Sequence, residues 1–247
     1  RAKIVFSQIK SGKVITGYKT SEKIKDRDFK LFVQWLYLMK SSNNAKFSTY
    51  ETFIRNNSDF PRIGRLQYLA EQKIYLKNSS PKNIIRWFDD FPPVSGTGKL
   101  KLGEAYFDLK DINNSKELIK EGWINADLSK SQLRFYRKKF KSILDSEDHI
   151  KRADYLAWNK KYWDLKRMLV YLPSDFKALY NARQILMSNS YGVDNAIAKV
   201  PDRFKKDIGL EYDRLKWRNR RGRLESSLQI LYDNSNKSEE ELIRADL

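Results

Sequence analysis

The sequence predicts an all-α fold: an α-superhelix, or solenoid, of stacked helix hairpins. Three observations predict it. Apolar residues recur at helical spacing almost throughout. Sustained two-residue alternation rich in Val and Thr is missing. Helix starts return at a nearly constant interval along the chain.

The elements follow in order. Residues 1–25 are expected to form an irregular edge of one domain spanning 1–247. Phe29, Phe32, Val33 and Leu36 lie at offsets 0, 3, 4 and 7, so they predict a helix packed on that face. The run Leu31–Met39 is the longest apolar stretch, and it sits between Lys30 and Lys40. A bilayer needs about 20 such residues, so this run predicts a buried helix and no integral membrane segment. The stretch SDFPRIGRLQYLAEQKI, residues 58–74, predicts a helix start. Pro61 fits a first helical turn, Ser58 and Asp59 fit caps, and Phe60 fits an apolar anchor for the next turn. Leu66, Leu69, Ala70 and Ile74 then share a face.

Later segments repeat the pattern. Ser80, Ser95, Ser115 and Ser129 are expected caps. Core faces are predicted at Leu102, Ala105, Tyr106 and Leu109, and at Ile119, Gly122, Trp123 and Ala126. Further ones fall at Leu165, Met168, Leu169 and Leu172, and at Phe204, Ile208, Tyr212 and Leu215. In LRFYRKKFKSIL, residues 133–144, Leu133, Tyr136, Phe140 and Leu144 share a face and the cations lie largely elsewhere. Prolines fall at the boundaries between runs. The acidic SEEELIRADL at the end predicts one more helix, as if the array continued past Leu247.

First helices are predicted near Lys46, Ser80, Asn114 and Glu147, at intervals of 34, 34 and 33. Second helices fall near Pro61, Gly96, Ser129 and Asn159, and the later pairs near Ser174 and Gly192, then Asp202 and Gly222. That period is the length of a tetratricopeptide repeat. Each such unit buries its apolar face on its neighbours.

Composition bounds the function. The 247 residues are 40% hydrophobic and 13% aromatic, which suffices for a sizeable core. Lys and Arg number 49 against 31 Asp and Glu, a formal charge of +18. Such a surface attracts polyanions, although the lysines are spread along the chain as a compositional habit would spread them. There is no cysteine, which excludes disulfides and thiolate metal sites. The start at Arg1, with no Met and no apolar signal core, is expected to be a cut edge.

Chemical motifs are sparse. His149 is the only histidine, so a multi-histidine metal site is excluded; a hydrogen-bonded structural role is expected. SGTGKL, residues 95–100, lacks the first glycine and the final hydroxyl of a phosphate loop, at Pro93 and Leu100. It predicts a turn into a helix. The pairs Asp89–Asp90 and Glu239–Glu240 are sequence neighbours and point about 100° apart on a helix, so they do not converge on one bond. The densest basic cluster is WRNRRGR, residues 217–223. Trp217, Arg218, Arg220 and Arg221 are candidate substrate-binding residues, because arginines clamp anions bidentately and stack on aromatics. No cofactor or metal ligand set is expected.

The order of several motifs resembles the N-terminal superhelical part of soluble lytic murein transglycosylases. It includes DFPRIGRLQYLAEQKI, WFDDFPPVSGTGKLKLGEAYFDL, ELIKEGWINADLS, DHIKRADYLAW and GLEYDRLKWRNRRGR. The distinctive combination is Trp87-Phe88 before Pro92-Pro93, Gly122-Trp123, Asp148-His149 with Arg152, and Trp217 with its arginines. The resemblance implies a U-shaped or ring-shaped periplasmic scaffold joined to a C-terminal lysozyme-like domain. That domain would cleave peptidoglycan glycan strands without water, leaving 1,6-anhydromuramic ends. The implied partners are peptidoglycan, the chain's own catalytic domain and other cell-wall proteins, with no nucleic acid. The family's catalytic Glu-Ser has one counterpart here, Glu225-Ser226, but the Gly-Leu/Met-Gln context downstream is absent. Leu224, Leu228 and Leu231 instead predict a packing face around it, so this segment alone is expected to be inactive. A tetratricopeptide-like protein-interaction module explains the period equally well. A nucleic-acid-binding repeat should carry equivalent polar readers in each unit, yet the second helices begin with Arg62, Thr97, Lys130 and Lys160.

Overall fold

A computed structural model describes residues 1–76, 79–188 and 191–242. Among the described residues every regular element is helical. The α-helices are α1 Ala2–Lys10, α2 Val14–Ser21, α3 Arg27–Met39, α4 Phe47–Asn56, α5 Ile63–Lys73, α6 Pro81–Asp90, α7 Gly96–Asp108 and α8 Ile112–Asn125. They continue as α9 Lys130–Lys139, α10 Ser146–Trp158, α11 Tyr162–Met168, α12 Ser174–Leu186, α13 Val193–Ala198, α14 Ile208–Arg220, α15 Leu224–Asn234 and α16 Glu239–Leu242. Consecutive helices pair as hairpins, α1 with α2, α4 with α5, α6 with α7, α10 with α11 and α14 with α15. The chain divides into two compact units, Arg1–Gly122 and Trp123–Leu247, and the division falls within α8.

The helix starts have local causes. Ser80 accepts from the Asn83 amide and puts Pro81 in the first turn of α6, where a missing N–H does no harm. Ser129 and Gln132 form a capping box on α9, and Asp145 and Asp148 form one on α10. Starts near Lys46, Ser80, Gly96 and Ser129 fall where the repeat predicts them. The start near Asn159 slips to Tyr162, because Lys160 adopts φ 54° between α10 and α11. Asp202 opens only a short 3-10 turn, and α14 begins at Ile208.

The first unit's core joins Tyr50, Phe53, Leu66, Leu69, Trp87 and Ala105, among others. The corner before α5 departs from expectation. Ser58 and Asp59 cap nothing; α5 begins after Arg62, whose φ is 59° and whose side chain makes no capping bond. Phe60 packs backwards, edge-on to Phe53 at 5.3 Å and near Trp35 at 6.4 Å. The Trp35 indole donates to the Pro61 carbonyl at 2.9 Å. The corner is therefore pinned to α3 and α4. Ser115 is no cap either; it is buried within α8, and its hydroxyl donates to Ile112 O.

Residues 1–25 are not an irregular edge. Helices α1 and α2 form a hairpin turned at Gly12, φ 77°, a value only glycine adopts freely. Val5 is fully buried, and Tyr18 stacks on Tyr37 of α3 with centroids 4.3 Å apart. Three predicted faces are also rotated. In α3, Val33, Tyr37 and Leu38 are buried while Phe32 is exposed. In α14 the buried residues are Leu210, Glu211, Asp213 and Trp217, with Ile208, Tyr212 and Leu215 only half-buried. In α15, Leu224 and Leu228 are 65% and 63% exposed, and Ser227, Ile230 and Asn234 face inward.

In the second unit Arg152 is buried, and its guanidinium donates to the carbonyls of Trp123 and Ala126 where α8 ends. Burial pulls its pKa down to about 10, so the side chain still carries its charge at neutral pH. His149 lies between the Trp123 ring at 5.4 Å and the Tyr171 ring at 6.3 Å. Contrary to expectation its Nδ1 is buried without a hydrogen-bond partner. Burial first, and Arg137 second, lower its pKa below 6.5. The sign of the consequence is set by the unfolded chain, which takes up the proton first as pH falls. The contribution of neutral His149 is fully present above pH 6.5 and is lost as pH falls through its depressed folded value. Urea denaturation at pH 7.5 and 5.5 checks this: the wild type should lose more stability on acidification than His149→Gln.

Candidate functional site

The segment that mimics a phosphate loop carries its own anion. Ser95 caps α7 by accepting from the Gly98 amide at 3.0 Å. The carboxylate of Glu71, fully buried on α5, accepts from the Val94 amide at 2.7 Å and from the Ser95 hydroxyl. Any side chain at Gly98 would overlap that carboxylate. A helix start favours a negative charge, and here the carboxyl group of Glu71 from α5 fills the place beside it. Burial raises the pKa of Glu71, while the bonds from Ser95 and Val94 hold it down. Glu71→Ala strands the Val94 amide and empties a closed site. It should lower stability by about 2–4 kcal/mol in urea or thermal unfolding.

The predicted binding residues are largely structural. Trp217 is only 7% exposed, with the guanidinium groups of Arg221 and Arg223 at 4.6 and 5.2 Å from its ring. Arg218 donates to Ser226 O at 2.7 Å, and burial lowers its pKa. Arg220 donates to Leu186 O at 2.6 Å and Met187 O at 3.4 Å, closing the end of α12. Glu225 is exposed on α15 and lines none of the described cavities. The Glu239 side chain lies outside the described residues. Other motif residues, Trp87, Phe88, Trp123 and Arg152, are core.

A different constellation in the second unit does converge. Arg183 of α12 is fully buried. Its Nε donates to Asp213 Oδ2 at 2.8 Å and its Nη1 to Asp154 Oδ1 at 3.2 Å. The guanidinium lies 4.9 Å from the Trp158 ring. Gly209, one turn before Asp213 on α14, makes the space; a side chain there would overlap the guanidinium. Burial pulls the Arg183 pKa down, but the facing carboxylates, Asp213 foremost, more than offset it. The second oxygen of Asp213 accepts from Lys160. Tyr180 donates to Asp154 at 3.4 Å, and burial holds its phenol above its ordinary pKa.

Asp213 and Lys160 also line an open cavity of about 460 Å³. Tyr162 and Tyr212 wall it, Leu186 and Met187 give it apolar surface, and Lys216 and Arg220 add positive charge. The Lys160 and Lys216 ammonium groups lie 4.8 and 5.2 Å from the Tyr212 ring centroid. Beside Tyr162, with rings 5.0 Å apart, Trp163 is 65% exposed. Of the four predicted binding residues only Arg220 reaches this cavity. Lys160, Tyr162, Tyr212 and Lys216 were missed as binding residues, although NKKYW and YDRLKW carry the alternation of cations and aromatics that marks such surfaces.

The arrangement sets cations, tyrosines and apolar side chains around one open cavity. Among the described residues that line it Asp213 supplies the one carboxylate, and both its oxygens accept from cations, Arg183 and Lys160. No family model matches the chain, and neither a known protein nor a solved structure does. Among the described residues no helix is long and apolar enough to cross a membrane.

Proposed function

We propose that this chain is the non-catalytic superhelical scaffold of a periplasmic peptidoglycan lytic transglycosylase. In this reading it positions glycan strands for a C-terminal lysozyme-like domain that cleaves them with formation of 1,6-anhydromuramic ends. One observation carries the reading on the structural side: the cavity of the second unit presents cations and tyrosine walls while its single carboxylate is neutralised. Such a surface can hold an anionic glycan, and among the described residues its one carboxylate is already paired with cations. The order of motifs supplies the link to the wall, and the formal charge of +18 favours the carboxylates of peptide stems and lactyl groups.

The test is co-sedimentation of the isolated chain with purified sacculi across a salt series. Binding should weaken as salt rises, and no strand cleavage should follow. Absence of salt-sensitive binding rejects the proposal. The exposed leucines of α15 favour a second reading, a tetratricopeptide-like protein-interaction module. That module would leave the sacculi in the pellet and the chain in the supernatant at every salt concentration.

A further inference from the structure

We propose that the cavity of the second unit is a subsite for a single sugar ring that bears a carboxylate. This rests on the glycan-scaffold reading and narrows it to one place and one ligand class. The volume, about 460 Å³, lies within the range of small-ligand sites. Its walls are amphipathic. Tyr162 lines it with an aromatic ring, Tyr212 lines it under two ammonium groups, and Leu186 and Met187 add apolar surface of the kind that packs on a sugar.

The charge pattern selects the anion. Lys216 brings an ammonium group close to the ring of Tyr212, beside Lys160, whose own charge is taken up by Asp213. Arg220 is held by the Leu186 and Met187 carbonyls and acts as a fixed positive charge on the same lining. Asp213 would repel an anion if it stood alone, but Arg183 behind it and Lys160 beside it neutralise it. Lysines act as point charges that attract any anion, so the apolar lining, and not the charges, is what favours a sugar acid over inorganic phosphate. Lys216, exposed on α14, is the residue whose loss should affect the ligand and spare the fold. Lys160 is unsuitable for the test because it also holds Asp213.

The experiment titrates the 247-residue chain with N-acetylmuramic acid, N-acetylglucosamine and inorganic phosphate, followed by calorimetry. The acid should bind at least about tenfold more tightly than the neutral sugar, and Lys216→Ala should remove about that factor for the acid alone. Equal affinities for the two sugars overturn the subsite. So does an unchanged affinity in Lys216→Ala, or tighter binding of phosphate. If sacculi still bind in a salt-sensitive way while the acid does not bind, the subsite falls and the scaffold reading stands. If both fail, both fall.

Discussion

Arg183→Ala is expected to destabilise the second unit by about 3–5 kcal/mol, the range for removing one partner of a buried ion pair. The cause is what the substitution leaves behind. Asp213, itself buried, loses the Nε donor at 2.8 Å, and Asp154 loses the Nη1 donor at 3.2 Å. Lys160 remains on Asp213, but that lysine is partly exposed and cannot replace a guanidinium enclosed by Trp158 and Gly209. A cavity also opens where the side chain stood, which adds to the loss. The pair is separable from its volume. Arg183→Met keeps most of the bulk and should still be strongly destabilising, because the buried oxygen of Asp213 that faced the guanidinium is left without its donor. Arg183→Met with Asp213→Leu removes both charges, and its total effect should be well below the sum of the two single changes. Urea denaturation of the four proteins gives the cycle. A loss under about 1 kcal/mol for Arg183→Ala, or strict additivity in the cycle, would show that the network is not holding α12 to α14.

The same network explains where the sequence could be read and where it could not. Periodicity located the buried faces of α5, α9 and α11 because each buries ordinary aliphatic and aromatic residues at three- and four-residue steps. Leu66, Leu69, Ala70 and Ile74 are all buried, as are Leu133, Tyr136, Phe140 and Leu144. Helix α14 defeats that logic. Its inward face carries Glu211 and Asp213, which hydropathy assigns to solvent. Asp213 is buried because Arg183, thirty positions earlier, turns a charge into a packed partner, and Glu211 is paired with Arg214 on its own helix. Helix α15 fails for a related reason. Ser227 and Asn234 face inward with their polar groups satisfied on their own helix, at Arg223 O and Ile230 O, so small polar residues replace leucines in the interface. The candidate site was illegible in a third way. Lys160 comes from a connection with φ 54°, while Tyr212 and Lys216 come from a rotated helix face. No local pattern announces that these residues meet.

Gly122→Ala should destabilise the first unit by about 1–3 kcal/mol, toward the upper end, although the same exchange in an exposed helix ordinarily stabilises. A methyl group at Gly122 of α8 would sit 2.5 Å from the Leu100 amide nitrogen, 2.8 Å from Gly96 O and 2.9 Å from the Leu100 Cα. All three are backbone atoms of α7, so no side chain can swing aside and the two helices must part. Gly103 of α7 faces α8 in the same way, but the nearest atom to its added methyl is the Ile119 side chain at 2.8 Å, with the Ile119 amide nitrogen next at 3.0 Å. Gly103→Ala should therefore be milder, since part of the clash can relax by rotation. Gly64, within α5, is the control. Nothing lies within 4 Å of a methyl placed there, and its backbone is helical, so Gly64→Ala should raise stability by up to about 1 kcal/mol through lost freedom in the unfolded chain. Thermal unfolding of the three variants tests the sign as well as the size. Opposite shifts for Gly64→Ala and Gly122→Ala would locate the requirement in the α7–α8 contact and not in helix propensity. A stabilising shift in both would mean that α7 and α8 do not close on each other through Gly122.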